Sequence, residues 1–237
     1  MVKVLSVGGS IVAPDAPDTA FLVSFSAMVR TWLEKSPDRR LILVVGGGGP
    51  ARIYQKAYAD CSNLLASSNV QNSGTSSNEA DWIGITATRL NAQLLRAIFS
   101  DLCPNDVVYD PTAPFDFNGQ VLIAAGWKPG FSTDTDAVYL AERFEAKTIV
   151  NLSNIEKVYT DDPKKNPDAT PIDEISWKDF RVMVGDEWVP GKNCPFDPIA
   201  SKKAESLGIK VICDGGKDIN NIKEILNDQE FTGTTIG

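Results

Sequence analysis

The 237-residue chain is predicted to form a three-layer α/β/α sandwich with a mainly parallel central sheet, as one domain over residues 1–237. Two observations predict it. Short apolar, β-branched runs alternate with helical periods, the pattern of a parallel sheet covered on both faces. Two of those runs end directly in glycine clusters, Gly8-Gly9 and Gly46-Gly47-Gly48-Gly49, as strands do where they turn into a binding crevice.

The strand candidates are 2–7, 41–45, 106–109, 121–125, 148–152 and 209–213, several of them continuously apolar. After the first, Phe21, Leu22, Phe25, Met28, Val29, Trp32 and Leu33 recur at i, i+1, i+4, i+7, i+8, i+11 and i+12. That is one helix face, with Asp18 at the N-cap and Ser36-Pro37-Asp38 as the stop. A second helix is expected from Pro50, turning Ile53, Tyr54, Ala57 and Tyr58 inward. A third covers 82–99, with Ile83, Ala87, Leu90, Leu94, Ala97 and Ile98 on its inner face. Later helices are expected over 136–145, 198–207 and 219–226. The stretch 62–78, rich in Ser and Asn, reads as a surface loop, or alternatively as a lid or a subunit contact.

Composition narrows the chemistry. The chain contains no histidine, which removes Ser-His-Asp and Cys-His nucleophiles and the H-E-x-x-H zinc site. A formal net charge of -8 argues against a general nucleic-acid surface. Backbone N–H groups and a few cations can still hold an anion locally. No window approaches the ~18 to 20 apolar residues of a membrane span. The start runs from Met1 into a strand and a glycine turn, so it reads as structure and not as a cleaved signal. Cys61, Cys103, Cys194 and Cys213 lie far apart with no C-x-x-C pair, which argues against disulfides and zinc. The expectation is a cytoplasmic protein with no metal site of its own.

The glycine clusters point to phosphate. A glycine turn after a parallel strand lets backbone N–H groups reach an anion, and the following helix directs its positive end there. No Walker A loop is present. Gly46-x-Gly48-x-x-Ala51 fits the dinucleotide fingerprint, but the required carboxylate about 20 residues on is missing from the polar segment there. In Ser132-Thr133-Asp134-Thr135-Asp136 the hydroxyls either cap a helix or bind phosphate, with Asp134 orienting a Lys or Mg²⁺. Residues 151–165 leave a strand for a polar turn with one aromatic, Tyr159, either an adenine seat or an ordinary loop.

In chain order these segments resemble the amino-acid-kinase superfamily, most closely its short uridylate (UMP) kinase branch. The residues that carry the likeness are Val7-Gly8-Gly9-Ser10, Val44-Val45-Gly46-Gly47-Gly48 with Ala51-Arg52, Asp81 to Asn91-Ala92, and Pro129-Gly130-Phe131-Ser132-Thr133-Asp134. The turn from Ser153 through Tyr159 to Asp162-Pro163, Asp197-Pro198-Ile199-Ala200 and Gly233-Thr234-Thr235-Ile236 complete the set.

The resemblance implies transfer of a phosphoryl group from ATP, with Mg²⁺, to UMP. It assigns Gly9, Ser10, Gly48, Arg52, Ser153, Tyr159 and Asp162 to ATP. It assigns Gly47, Asp81, Gly126, Trp127, Lys128, Pro129, Gly130, Phe131, Ser132 and Thr133 to UMP. Asp134 would organise the transfer site, with Arg52 neutralising the moving group. It also implies a ring-like homohexamer.

Many superfamily members carry a Lys where this chain has Ser6, although the short branch tolerates other residues; Lys128 is then the candidate source of charge. The usual Asp-Gly of the adenine turn is Glu156-Lys157, and Lys is disfavoured at positive φ. The segment 62–78 is longer than the family pattern leads one to expect. The missing histidine counts against the isopentenyl phosphate kinase branch. Ser6 and Lys157 leave open a non-catalytic nucleotide- or oxyanion-binding relative, and a kinase for another small acceptor is a further reading.

Overall fold

The computed structural model describes residues 1–67, 76–163, 165–185, 187 and 194–237. Along the chain it forms β1 (Val2–Val7), α1 (Gly9–Val12), α2 (Thr19–Glu34), β2 (Arg40–Val45), α3 (Gly48–Ser67), α4 (Ser77–Ile98) and β3 (Val121–Ala125). There follow α5 (Thr133–Arg143), β4 (Thr148–Leu152), β5 (Val158–Tyr159), β6 (Pro171–Ile172), β7 (Glu174–Ile175) and α6 (Trp177–Val184). The chain ends with α7 (Pro198–Leu207), β8 (Lys210–Asp214), α8 (Ile219–Leu226) and β9 (Thr234–Ile236).

The main sheet runs β3-β2-β1-β4-β8-β9-β7, and β5 pairs separately with β6. Strands β3, β2, β1, β4 and β8 are mutually parallel, while β9 runs antiparallel to β8. Alternate residues face opposite ways, so each strand feeds two cores. Leu5, Val7, Leu43, Val45, Ile123 and Leu152 pack against residues of α1, α2, α4 and α8. Val4, Ile42, Val44, Leu122, Ile149 and Val211 pack against residues of α5, α6 and α7. Both faces are therefore covered, which explains the continuous apolar runs.

The strand order sets the site. From β1 the chain moves to β2 and β3 on one side, then returns to place β4 and β8 on the other. The reversal leaves a crevice at the carboxyl ends of β2, β1 and β4, the usual ligand position in such sheets. Register keeps the first two turns level, because Val7 pairs with Val45 as the last residues of β1 and β2. Helix starts are capped by Asp18, Ser76, Ser132, Ser176, Asp197 and Asp218, each accepting from an N–H one turn in.

Several expectations need correction. Residues 106–109 make only an isolated parallel bridge, Val108 to Ala124, since the chain there is closely followed by the turn at Pro111. Residues 62–67 are not loop, because α3 continues to Ser67; α4 starts at Ser77, and 68–75 lie outside the described residues. Helix α5 starts at Thr133, earlier than residue 136, because Ser132 caps it.

The inner faces of two helices differ in part from expectation. On α3, Ile53 and Tyr54 are 58% and 68% exposed, and Ala57 is exposed as well. Ala51 and Ser62 are buried instead. On α4, Leu90 is 69% exposed, and Ala97 is exposed too. Ala87 is buried as expected, and Leu94 and Ile98 pack partly buried against the core, but Ile85, Thr88, Asn91, Ala92 and Leu95 are buried as well. Apolar periodicity misplaces this face because Thr88 and Asn91 are polar yet buried, with backbone groups as partners. Sequence reading also missed the small strands β5, β6, β7 and β9, each too short to show a period, and α6, although Trp177, Phe180 and Val184 recur there at i, i+3 and i+7.

Candidate active site

The first two glycine turns touch backbone to backbone. A Cβ on Gly9 would fall 1.9 Å from Gly48 N, and one on Gly46 would fall 2.4 Å from Gly9 N. No side chain fits between them, which is why glycine stands at both positions. Gly48 has φ +66, and its own Cβ would meet Ala13 O at 2.2 Å. The third turn joins the pair where Gly8 N–H donates to Leu152 O at 2.8 Å.

Helix α4 aims the second turn. The Asn91 side-chain amide donates to the carbonyls of Gly46 at 2.8 Å and Gly47 at 3.1 Å. In a trans peptide the N–H points opposite to the C=O. The N–H groups of Gly47 and Gly48 are thereby directed away from α4, where an anion can accept them. Arg52 is exposed and donates to Pro14 O at 3.2 Å.

Asp134 sits in the first turn of α5 beside the end of β1. Its Oδ1 accepts from the Ser6 hydroxyl at 3.0 Å, and its Oδ2 accepts from Asp197 N–H at 3.1 Å. Burial, reinforced by the Asp197 charge, pushes its pKa up to about 6 against the two hydrogen bonds. Asp197 is itself buried and caps α7, accepting from Ala200 N–H at 2.8 Å. Asp197 lies in a segment that carries the family likeness, but local spacing does not mark it as a site residue, because its contact with Asp134 joins two distant helix starts.

The turn after β3 carries the residues assigned to UMP. Gly130 N–H donates to Asp81 at 3.2 Å, which joins two of those residues from distant segments. Ser132 caps α5 through Thr135 N–H at 3.2 Å. Trp127, Phe131 and Tyr139 form an aromatic cluster, with the Lys128 ammonium 3.8 Å from the Trp127 ring centre and 4.9 Å from that of Phe131.

Ser153, Tyr159 and Asp162, the remaining residues that the resemblance assigns to ATP, follow β4 in the chain. Ser153 N–H donates to Asp214 O at 2.9 Å, Tyr159 pairs with Pro171 across the hairpin, and the Asp162 carbonyl closes its own turn. Among the described residues the only non-glycine positive φ angles are at Glu145 and Asp228, so Lys157 adopts ordinary backbone and pairs with Asp173 instead. The turn thus forms without the usual Gly.

A model of the amino acid kinase family matches residues 1–213. The chain belongs to the amino acid kinase family. Its similarity to individual members extends over the whole chain. It is 34% identical to uridylate kinase from Methanothrix thermoacetophila over 239 residues, covering 100% of this chain and 99% of that protein. It is 31% identical to uridylate kinase from Pyrococcus abyssi, covering 98% of each. Uridylate kinase from Archaeoglobus fulgidus superposes with a TM-score of 0.81 at 29% identity, covering 100% of both chains. UMP kinase from Bacillus anthracis, at 18% identity and a TM-score of 0.71 over 100% of this chain and 95% of that one, shares the fold.

Membership in the amino acid kinase family makes the contact between the two turns directly testable. Gly9→Ala is expected to lower stability by about 2 kcal/mol or more in urea denaturation, because the added methyl overlaps a backbone that cannot yield. A wild-type unfolding midpoint would show that the turns can part.

Proposed function

We propose that this chain is a UMP kinase, moving the γ-phosphate of ATP to UMP and yielding ADP and UDP on a single domain. The observation that carries the reading is the interlocked pair of glycine turns with Asp134 beside them, on a chain similar along its whole length to uridylate kinases. Gly9, Ser10, Gly48, Arg52, Ser153, Tyr159 and Asp162 take ATP. Gly47, Asp81 and the turn from Gly126 through Trp127, Lys128, Pro129, Gly130, Phe131 and Ser132 to Thr133 take UMP.

The reaction asks little of a side-chain nucleophile. A UMP phosphate oxygen attacks the γ-phosphorus, the bond to the bridging oxygen breaks, and ADP leaves with that electron pair. Such a loose transition state needs alignment and charge neutralisation more than a strong base, so a protein without histidine can perform it. The amides of Gly47 and Gly48 and the Arg52 guanidinium supply part of that neutralisation. Asp134 would hold a cation that supplies the rest.

The carboxylates fit a metal that arrives on the nucleotide. Among the described residues no group of three or more acids or cysteines forms a metal cage. Asp134 offers lone pairs beyond the two already engaged, and Mg²⁺ commonly takes one or two carboxylates with substrate phosphates completing its shell. When bound, Mg²⁺ would supply positive charge that offsets the charge of the ATP phosphates, with Asp134 as the residue that would hold it.

A coupled ADP-release assay with UMP, CMP, AMP, carbamate, glutamate and aspartate tests the reading. Turnover fastest with UMP is expected; turnover only with another acceptor would reassign the substrate. The hydroxyl of Ser6 on Asp134, where many members carry Lys, favours a second reading as a non-catalytic nucleotide binder. Calorimetric ATP binding with no ADP formed at high enzyme would select it.

Four widely spaced cysteines with no C-x-x-C pair fit a reducing, cytoplasmic location, and among the described residues no helix is long and apolar enough to cross a membrane. A homo-oligomer, by resemblance a hexamer, fits the outward apolar stripe of α3, where Ile53, Tyr54 and Leu65 are 58%, 68% and 48% exposed.

Asp134→Asn should cut turnover by at least ~10²-fold. Its pKa is raised on folding, so Asp134 stabilises the fold below its ordinary 3.8 and loses that contribution as pH rises through about 6. The Asn variant should therefore match or exceed the wild-type Tm at pH 7. Wild-type kcat/KM should fall as pH drops below about 6, where the carboxylate is protonated. Near-full turnover in the variant would remove Asp134 from the mechanism. Lys128→Ala should lower kcat more than it raises the UMP KM, and unchanged kinetics would discard Lys128 as the substitute charge. The double variant Ile53→Asp, Tyr54→Asp should reduce the mass seen in sedimentation, whereas an unchanged assembly would place the interface elsewhere.

A further inference from the structure

The two residues that open the acceptor turn, Gly126 and Trp127, have all four backbone polar groups held by side chains. Gly126 N–H donates to the Thr88 hydroxyl at 2.8 Å. Trp127 N–H donates to Asp136 Oδ2 at 3.2 Å. Both carbonyls go to one residue: Arg89 Nε donates to Gly126 O at 3.3 Å and Arg89 Nη2 to Trp127 O at 2.9 Å. Asp81 takes Gly130 N–H further along the same turn. Asp81, Ile85, Thr88 and Arg89 recur at i, i+4, i+7 and i+8, which is one face of α4. The Ile85 side chain closes the face, 3.4 Å from where a Cβ on Gly126 would lie.

Arg89 is itself fixed. Its guanidinium lies over the Tyr109 ring at 4.4 Å and near the Trp82 ring at 5.7 Å, so the planar group is oriented before it meets the carbonyls. Two parallel donors on consecutive carbonyls set both peptide planes, a task that a single ammonium point charge cannot perform. Because the Trp127 carbonyl faces Arg89, the N–H of Lys128 is directed away from α4. The same helix, through Asn91, orients Gly47 and Gly48.

We propose that Arg89 is a positioning residue for the phosphate acceptor: it sets the peptide planes of Gly126 and Trp127 so that the turn meets the acceptor preformed. It touches no substrate and acts through the backbone. This rests on the assignment of the turn to UMP given above.

Two measurements test it. Hydrogen exchange in a peptide spanning 126–131, followed by mass spectrometry without substrate, should speed up by roughly tenfold or more in Arg89→Ala, because local opening no longer breaks two charge-assisted bonds. In steady-state kinetics the variant should raise the UMP KM roughly tenfold while the ATP KM stays within about twofold, since misplacing a binding turn affects the ligand it holds. Arg89→Lys, which keeps the charge but loses the fork, should resemble Arg89→Ala in both. Unchanged exchange, an ATP KM that rises with the UMP KM, or a Lys variant indistinguishable from wild type would overturn the proposal. The exchange arm needs no acceptor, so it separates failure of the clamp from failure of the UMP assignment, which wild-type ADP release decides.

Discussion

The close approach of two backbones, Gly9 against Gly48, is the constraint on which the site depends. It requires that β1 and β2 be adjacent, parallel and level at their carboxyl ends, as their register provides. It also requires that no side chain intervene. Once those conditions hold, the turns share one crevice and the amides of the second can meet whatever anion enters it. The sheet order adds β4 to the same edge, and the Gly8 to Leu152 hydrogen bond locks that third turn in place.

Helix α4 relates the two halves of the crevice. Asn91 grips the second glycine turn, while Thr88, Arg89 and Asp81 grip the turn after β3. A rigid helix carrying both sets holds the distance between them, a more exact arrangement than two independent loops would give. Across the crevice, Asp134 is held by Ser6 from β1 and by the start of α7. A neutral hydroxyl does little to stabilise its charge, so burial wins and the carboxyl remains easy to protonate. On the function proposed above, a cation brought by the nucleotide would complement such a group.

Much of this was legible from residue order. The glycine clusters at strand ends, the hydroxyl-rich start of α5 and the apolar strands all express local rules that depend on neighbours in the chain. The helix faces were legible only where apolar spacing governs burial, as on α2, whose face from Phe21 to Leu33 is buried as predicted. On α4 the rule fails because Thr88 and Asn91 are buried for their hydrogen bonds and Leu90 is left outside. On α3 it fails because Ile53 and Tyr54 are apolar without being part of this chain's core. Thr88 and Asn91 lie i, i+3 apart on the buried face of α4, a spacing that polar residues on its outer face share, so residue type alone does not mark them.

The residue sequence by itself determined the layered α/β class, the strand ends where glycine turns had to lie, and the exclusion of imidazole chemistry. Those follow from periodicity, from the conformations glycine permits and from which side chains exist. Only the tertiary structure decided that the turns meet, that Asp197 and Ser6 converge on Asp134, and that Arg89 holds the backbone of Gly126 and Trp127. Each of these is a contact between segments far apart in the chain. Strand order and register set such contacts, and no local pattern of residues encodes them.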